Sequence, residues 1–146
     1  ETYDVLIFVS REIVKVFVPA FIKKINSCSM SDCTFMRKID FEENSQLQVI
    51  DEGSFSGCNL TSIRFPNELK IVEKNSFFLC SELKTVEFLS DEIELKYNSF
   101  SDCESLLLIS FPNARLVKIC GRIITFESGF LSFFVSSKAD VVFVKT

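Results

Sequence analysis

The side chains with chemical potential are six cysteines and a few adjacent carboxylates, in a 146-residue chain that contains no histidine. Cys33, Cys58, Cys80 and Cys103 stand 25, 22 and 23 residues apart. Zinc knuckles gather thiolates over much shorter loops, so this spacing points to buried free thiols acting as small apolar residues. Cys28 and Cys33 form a Cys-x4-Cys pair able to bridge, and Cys120 has no evident partner. Without histidine, a Gly-rich phosphate loop, or a Ser or Cys beside an activating group, acid-base and nucleophilic catalysis lack their parts. The neighbouring acids Glu42 with Glu43, and Asp91 with Glu92, fall where strands end and fit solvated loops. The expectation is no catalytic residue, no metal and no cofactor.

The cysteine interval is the clue to the elements that position these groups. FSGCNLTSIRFP at 55–66 is echoed by FFLCSELKTVEFL from Phe77 and FSDCESLLLISFP from Phe100. Aligning the apolar triplet gives Ile13/Val16/Val18, Met36/Ile39/Phe41, Leu60/Ile63/Phe65, Leu83/Val86/Phe88, Leu106/Ile109/Phe111 and Phe130/Phe133/Val135, with starts 23, 24, 23, 23 and 24 apart. Such a period is the signature of a repeat architecture. The last residues of each triplet alternate in and out, as a half-buried strand does.

Columns outside the triplet keep the same register. Pro19, Pro66 and Pro112 each follow a triplet, where a residue without an N–H ends a strand at little cost. Met30, Phe55, Phe77, Phe100 and Ile123 form a large apolar column, and Cys33, Cys58, Cys80, Cys103 and Phe126 lie three residues further on. Gly53, Asn75, Asn98 and Gly121 precede the apolar column by two residues, with Ser54, Ser76 and Ser99 after three of them. Gly and Asn accept positive φ and Ser caps helices, which predicts a sharp turn into one short helical turn. Cys28 holds the Gly/Asn place in the first such turn. Between strand and turn runs a second apolar pair: Leu69 with Ile71 or Val72, Ile93 with Leu95, Leu116 with Ile119. One such unit cannot cover its own apolar face, but stacked copies bury each other's.

Composition agrees. Seventeen Phe with no Trp ask for many similar pockets rather than one irregular core. The net charge of -4 comes from acids and bases mixed along the chain, which disfavours nucleic acid. VLIFV at 5–9 is too short to span a bilayer, so direct membrane insertion is not expected. VLIFV and VVFV at 141–144 leave apolar ends where a solenoid wants polar caps, which favours neighbouring repeats or subunits at both ends, as in a segment of a longer array. Asn59-Leu60-Thr61 fits the N-glycosylation pattern, but Asn59 enters a strand, which argues against modification there.

FSGCNLTSIRFPNELKIVEKNSF resembles the BspA-like class of leucine-rich repeat, with its Phe-x-x-Cys turn followed by Leu-x-x-Ile-x-Phe-Pro. The resemblance is close over residues 30 to 123. It implies a mainly β repeat protein over 1–146: a right-handed solenoid of about six repeats with a parallel concave sheet, strands near 13–18, 36–41, 60–65, 83–88, 106–111 and 130–135, and short helical (3-10) turns. Members occur in surface antigens of bacteria and protozoan parasites, where adhesion is the usual proposal. The sequence departs from the pattern by two extra residues between Phe41 and Phe55, one missing between Cys58 and Leu60, and an irregular tail after Gly121.

If the triplets line a sheet, the spacers between them face solvent. One row is Phe17, Asp40, Arg64, Glu87, Ser110, Phe134 and the next Lys15, Lys38, Ser62, Thr85, Leu108, Ser132. With strands about 4.8 Å apart, Asp40, Arg64 and Glu87 would form an alternating charge ladder. Leu107 and Leu108 add an apolar patch beside the charges, the pairing that an interface core and rim require. Lys38, Asp40, Ser62, Arg64, Thr85, Glu87, Leu107, Leu108 and Ser110 are therefore the candidate contacts for a protein partner. The readings are a cell-surface recognition module or, because a repeated thiol column needs no oxidising compartment, an intracellular scaffold in a larger assembly.

Overall fold

The computed structural model describes residues 4–6 and 9–124, and the backbone of 142–144. Two parallel stacks of strands run the length of these residues. The back stack is a seven-stranded sheet of β1 (Val5–Leu6), β3 (Lys24–Ile25), β5 (Val49–Ile50), β7 (Ile71–Val72), β9 (Glu92–Leu95), β11 (Leu116–Ile119) and β12 (Arg122–Ile123), in that order. All of its pairings are parallel except β11 with β12. The front stack holds the apolar triplets: β2 (Lys15–Val18), β4 (Lys38–Phe41), β6 (Ser62–Phe65), β8 (Thr85–Phe88), β10 (Leu108–Ser110) and β13 (Val142–Val144). The chain therefore alternates front and back strands, each coil resting on the one before.

The front stack is not one sheet. β2 pairs with β4, and β6, β8, β10 and β13 form a second sheet, with no ladder between β4 and β6. That gap falls where the repeat departs from its period on either side of Phe55. The triplet block at 130–135 lies outside the described residues, and the strand hydrogen-bonded to β10 is Val142–Val144.

Between the stacks lies a dry core arranged in columns. Phe55, Phe77 and Phe100 stack with centroids 4.8 and 5.0 Å apart and nearly parallel rings. Phe65, Phe88 and Phe111 stack at 5.1 and 5.4 Å, and edge contacts of Phe65 with Phe77 and Phe88 with Phe100 tie the two columns together. All six rings have no solvent exposure. Each such contact adds about 0.5–1.5 kcal/mol beyond the area it buries, which is why the chain writes Phe at these places and not merely any apolar residue.

The thiols extend this order. Cys58, Cys80 and Cys103 are buried, and each donates its S–H to the preceding coil's carbonyl in the apolar column: Met30 O at 2.9 Å, Phe55 O at 3.0 Å and Phe77 O at 3.0 Å. Loss of solvent pushes the Cys58 thiol's pKa upward. For Cys80 the neighbouring Cys103 thiol and then burial do the same. A protonated thiol is what the donor role requires. All six cysteines are free, Cys28 and Cys33 included.

The turns show three differences from the sequence reading. Cys28, Gly53, Asn75 and Asn98 all adopt positive φ, between 53° and 63°, so Cys28 fills the turn position after all. A second positive-φ position follows at Asp32, Gly57, Leu79 and Asp102. Left-handed residues four apart cannot share a right-handed helix. The segment accordingly makes successive tight turns, such as Ser56 N to Gly53 O and Cys58 N to Phe55 O, and no helix occurs among the described residues. The serines do not cap helices; Ser54 and Ser76 donate to Asp51 O and Glu73 O three residues back and to Asn26 O and Asp51 O of the preceding coil. Ser29 holds the same place in the first turn and is likewise buried.

Ile123 leaves the apolar column. Cys120 and Gly121 both have positive φ, as a two-residue type I′ hairpin requires, and they fold β12 back antiparallel on β11. Ile123 is then 64% exposed, while the next residue, Ile124, is buried.

Candidate functional site

The front strands present their spacer residues on one face. Within β2, β6 and β8 the residues alternate outward and inward, with Val16, Val18, Ile63, Phe65, Val86 and Phe88 buried. The registers Lys15↔Lys38 and Phe17↔Asp40, then Ser62↔Thr85↔Leu108 and Arg64↔Glu87↔Ser110, are those the repeat predicts. Phe17 is 58% exposed, so the first strand has not slipped by a residue.

These residues line a broad open depression of about 1240 Å³ that spans β2 to β10. Lys38, Asp40, Ser62, Arg64, Thr85, Glu87, Leu108 and Ser110 all border it. Leu107, 59% exposed, stands just ahead of β10 and does not border it. The strand-exit residues Glu42 and Glu43, read from sequence as solvated loop, form part of the wall. Their position immediately after a triplet was the available signal.

The charge ladder is divided by the gap. Arg64 Nε meets Glu87 at 2.5 Å, but Asp40 is engaged on its own side by Lys15 at 3.3 Å and Lys38 at 3.2 Å. Loss of solvent works to raise the pKa of Asp40, yet hydrogen bonds from Lys38 and Lys15 outweigh it and hold the carboxyl below its ordinary value. The ladder therefore resolves into two clusters, one on β2 and β4 and one on β6 and β8.

The back edge is charged in another way. Asp91 accepts from Lys70 at 2.9 Å and Arg115 at 2.6 Å, one from the coil before and one from the coil after. Lys70, then Arg115, hold its pKa down at about 2. Glu42 accepts from the backbone N–H of Ala20 at 2.7 Å. The acids read as loop residues thus bind neighbouring coils together. Asn59 is similarly committed, its amide donating to Thr34 O at 2.9 Å. Among the described residues no cluster of His, Cys, Asp or Glu could hold a metal ion, and no helix is long and apolar enough to cross a membrane.

A coiled stack of parallel strands with one short strand per repeat on the front, a Phe column and a buried Cys ladder defines a leucine-rich-repeat solenoid. The chain belongs to the BspA type leucine rich repeat family, whose repeat region matches residues 5–125 in six copies. No curated protein sequence matches it. Among solved structures it is similar to the pneumococcal vaccine antigen PcpA, at 21% identity and a TM-score of 0.67 over 88% of this chain and 30% of that one. It is also similar to a leucine-rich-repeat protein of Bacteroides ovatus, at 20% identity and a TM-score of 0.51 over 73% of this chain and 34% of that one. A leucine rich cell surface protein of Faecalibacterium prausnitzii matches at 15% identity and a TM-score of 0.50 over 72% of this chain and 37% of that one. At these identities the likeness is one of fold, and the chain spans about a third of each of these proteins.

Proposed function

We propose that the chain is a non-enzymatic protein-recognition module that offers its front face to a protein partner at a cell surface. The observation that carries this reading is the single depression that collects eight outward side chains from four strands, β4 to β10, charged at its centre and apolar at Leu108. A solenoid fixes such a platform while the spacer residues, free of any packing duty, set the partner. The cell-surface protein of F. prausnitzii and the vaccine antigen among its structural likenesses support the surface setting. The intracellular scaffold remains the second reading, favoured by the free, buried thiols, which need no oxidising compartment.

Labelling intact source cells with a membrane-impermeant amine reagent separates the two. The surface reading expects label on exposed lysines such as Lys38 and Lys84; label that appears only after lysis would sink it. For the face itself, Leu108→Asp should lower binding to surface protein extracts by tenfold or more, as loss of an interface anchor of about 1.4 kcal/mol or above does. Lys70→Ala on the back edge should leave it unchanged.

A further inference from the structure

The two ends of the front face are built as complements. At one end Lys15 and Lys38 stand directly opposite each other in register, a like-charge pairing that strands normally avoid. The single carboxylate of Asp40 answers both, so β2 and β4 together carry one net positive charge beside the exposed ring of Phe17. At the other end β8 and β10 turn outward Thr85, Glu87, Leu108 and Ser110. The partner of Glu87 is Arg64 of β6, so these two strands alone carry one negative charge beside Leu107 and Leu108. Each end lies two strands from β6, roughly 10 Å away at ordinary strand spacing.

We infer that the partner of this face is a second copy of the same chain, related by a two-fold axis lying along β6. This rests on the recognition reading above and names its partner. Rotation about that axis lays β4 over the β8 of the other copy and β2 over its β10. Lys38 then meets Glu87, and Phe17 meets Leu107 and Leu108, twice over. A two-fold axis along the stack would instead set lysine against lysine. At the axis Arg64 faces its own counterpart, but each guanidinium keeps its own Glu87, and the depression leaves this centre open to water. Two small contacts around a wet centre fall at the low end of interface size, so the dimer is weak and depends on concentration in the micromolar range. Closed two-fold pairing uses one patch on both copies and does not propagate into fibres.

The test is sedimentation velocity of the whole chain over a micromolar concentration series. Wild type should shift from monomer to dimer with concentration, and less so at high salt. Lys38→Glu alone and Glu87→Lys alone should each stay monomeric, because like charges then face each other at both contacts. An equimolar mixture of these two variants should dimerise again, since the mixed pair restores an opposite-charge contact at both places. Regained association on mixing also establishes that each variant is folded, and circular dichroism checks them singly. Lys70→Glu on the back edge should behave as wild type. A monomeric wild type, a mixture that stays monomeric, or single variants that still dimerise would each overturn the inference. A monomeric wild type whose Leu108→Asp variant nonetheless loses surface binding would leave the recognition reading standing with another partner.

Discussion

The back and front stacks are written by the same repeat, yet one is continuous and the other is split. Back strands such as β3, β5 and β7 pair over only two residues, and Val49 and Ile50 keep register with Lys24 and Ile25 before them and Ile71 and Val72 after them. They do so although β5 lies inside the stretch that carries two extra residues between Phe41 and Phe55. A two-residue strand demands little of its flanks. A front strand of four residues with alternating burial must hold its whole register or turn its side chains over, and the ladder lapses between β4 and β6. Departures from the period are thus absorbed on one side and recorded on the other.

The largest perturbation should erase the contrast. Phe77 stacks on two rings and meets a third edge-on, so Phe77→Ala should cost about 3–5 kcal/mol in urea unfolding and weaken both stacks together. A loss below about 1 kcal/mol would mean the columns do not carry the fold. The next effect runs the other way. Leu79 holds a φ of 60° with 52% exposure, so Leu79→Gly should relieve left-handed strain and stabilise by about 0.5–1 kcal/mol after the greater freedom of glycine in the unfolded chain is subtracted.

The charged edges then sharpen the comparison. Asp91, held at about 2 by Lys70 and Arg115, adds stability that is present above the ordinary carboxylate range and lost as pH falls through about 2. Asp91→Asn should therefore melt lower than wild type at neutral pH, with the difference closing as the pH approaches 2; a constant difference across that range would assign the effect elsewhere. The smallest change is expected on the front. Arg64 is 69% exposed and meets one partner, so Arg64→Ala should shift stability by less than about 1 kcal/mol.

Much of this was legible because the repeat returns the same residue type to the same pocket. Phe55, Phe77, Phe100 and the cysteine column identified themselves, and so did the turn at Gly53, Asn75 and Asn98. The second left-handed position was not legible, since Asp32, Gly57, Leu79 and Asp102 share a backbone angle but no side-chain property. Ile123 misled because its spacing fits the column while the hairpin at Cys120 and Gly121 turns it outward. Of the candidate site, the identity and facing of the spacers could be read. The division of their charges could not, because a lapse in pairing between β4 and β6 has no residue type of its own.

That lapse has a mechanical consequence. A stack of coils tethered at its ends and pulled along its length yields first where the fewest bonds cross from one coil to the next. Here one strand ladder is missing between β4 and β6, and the crossing rests on the back sheet, the core and single bonds such as Asn59 to Thr34. Under tension the molecule should therefore open at that point, with the coils on either side still folded, and extension traces from a single-molecule pull should show one early step ahead of the main rupture.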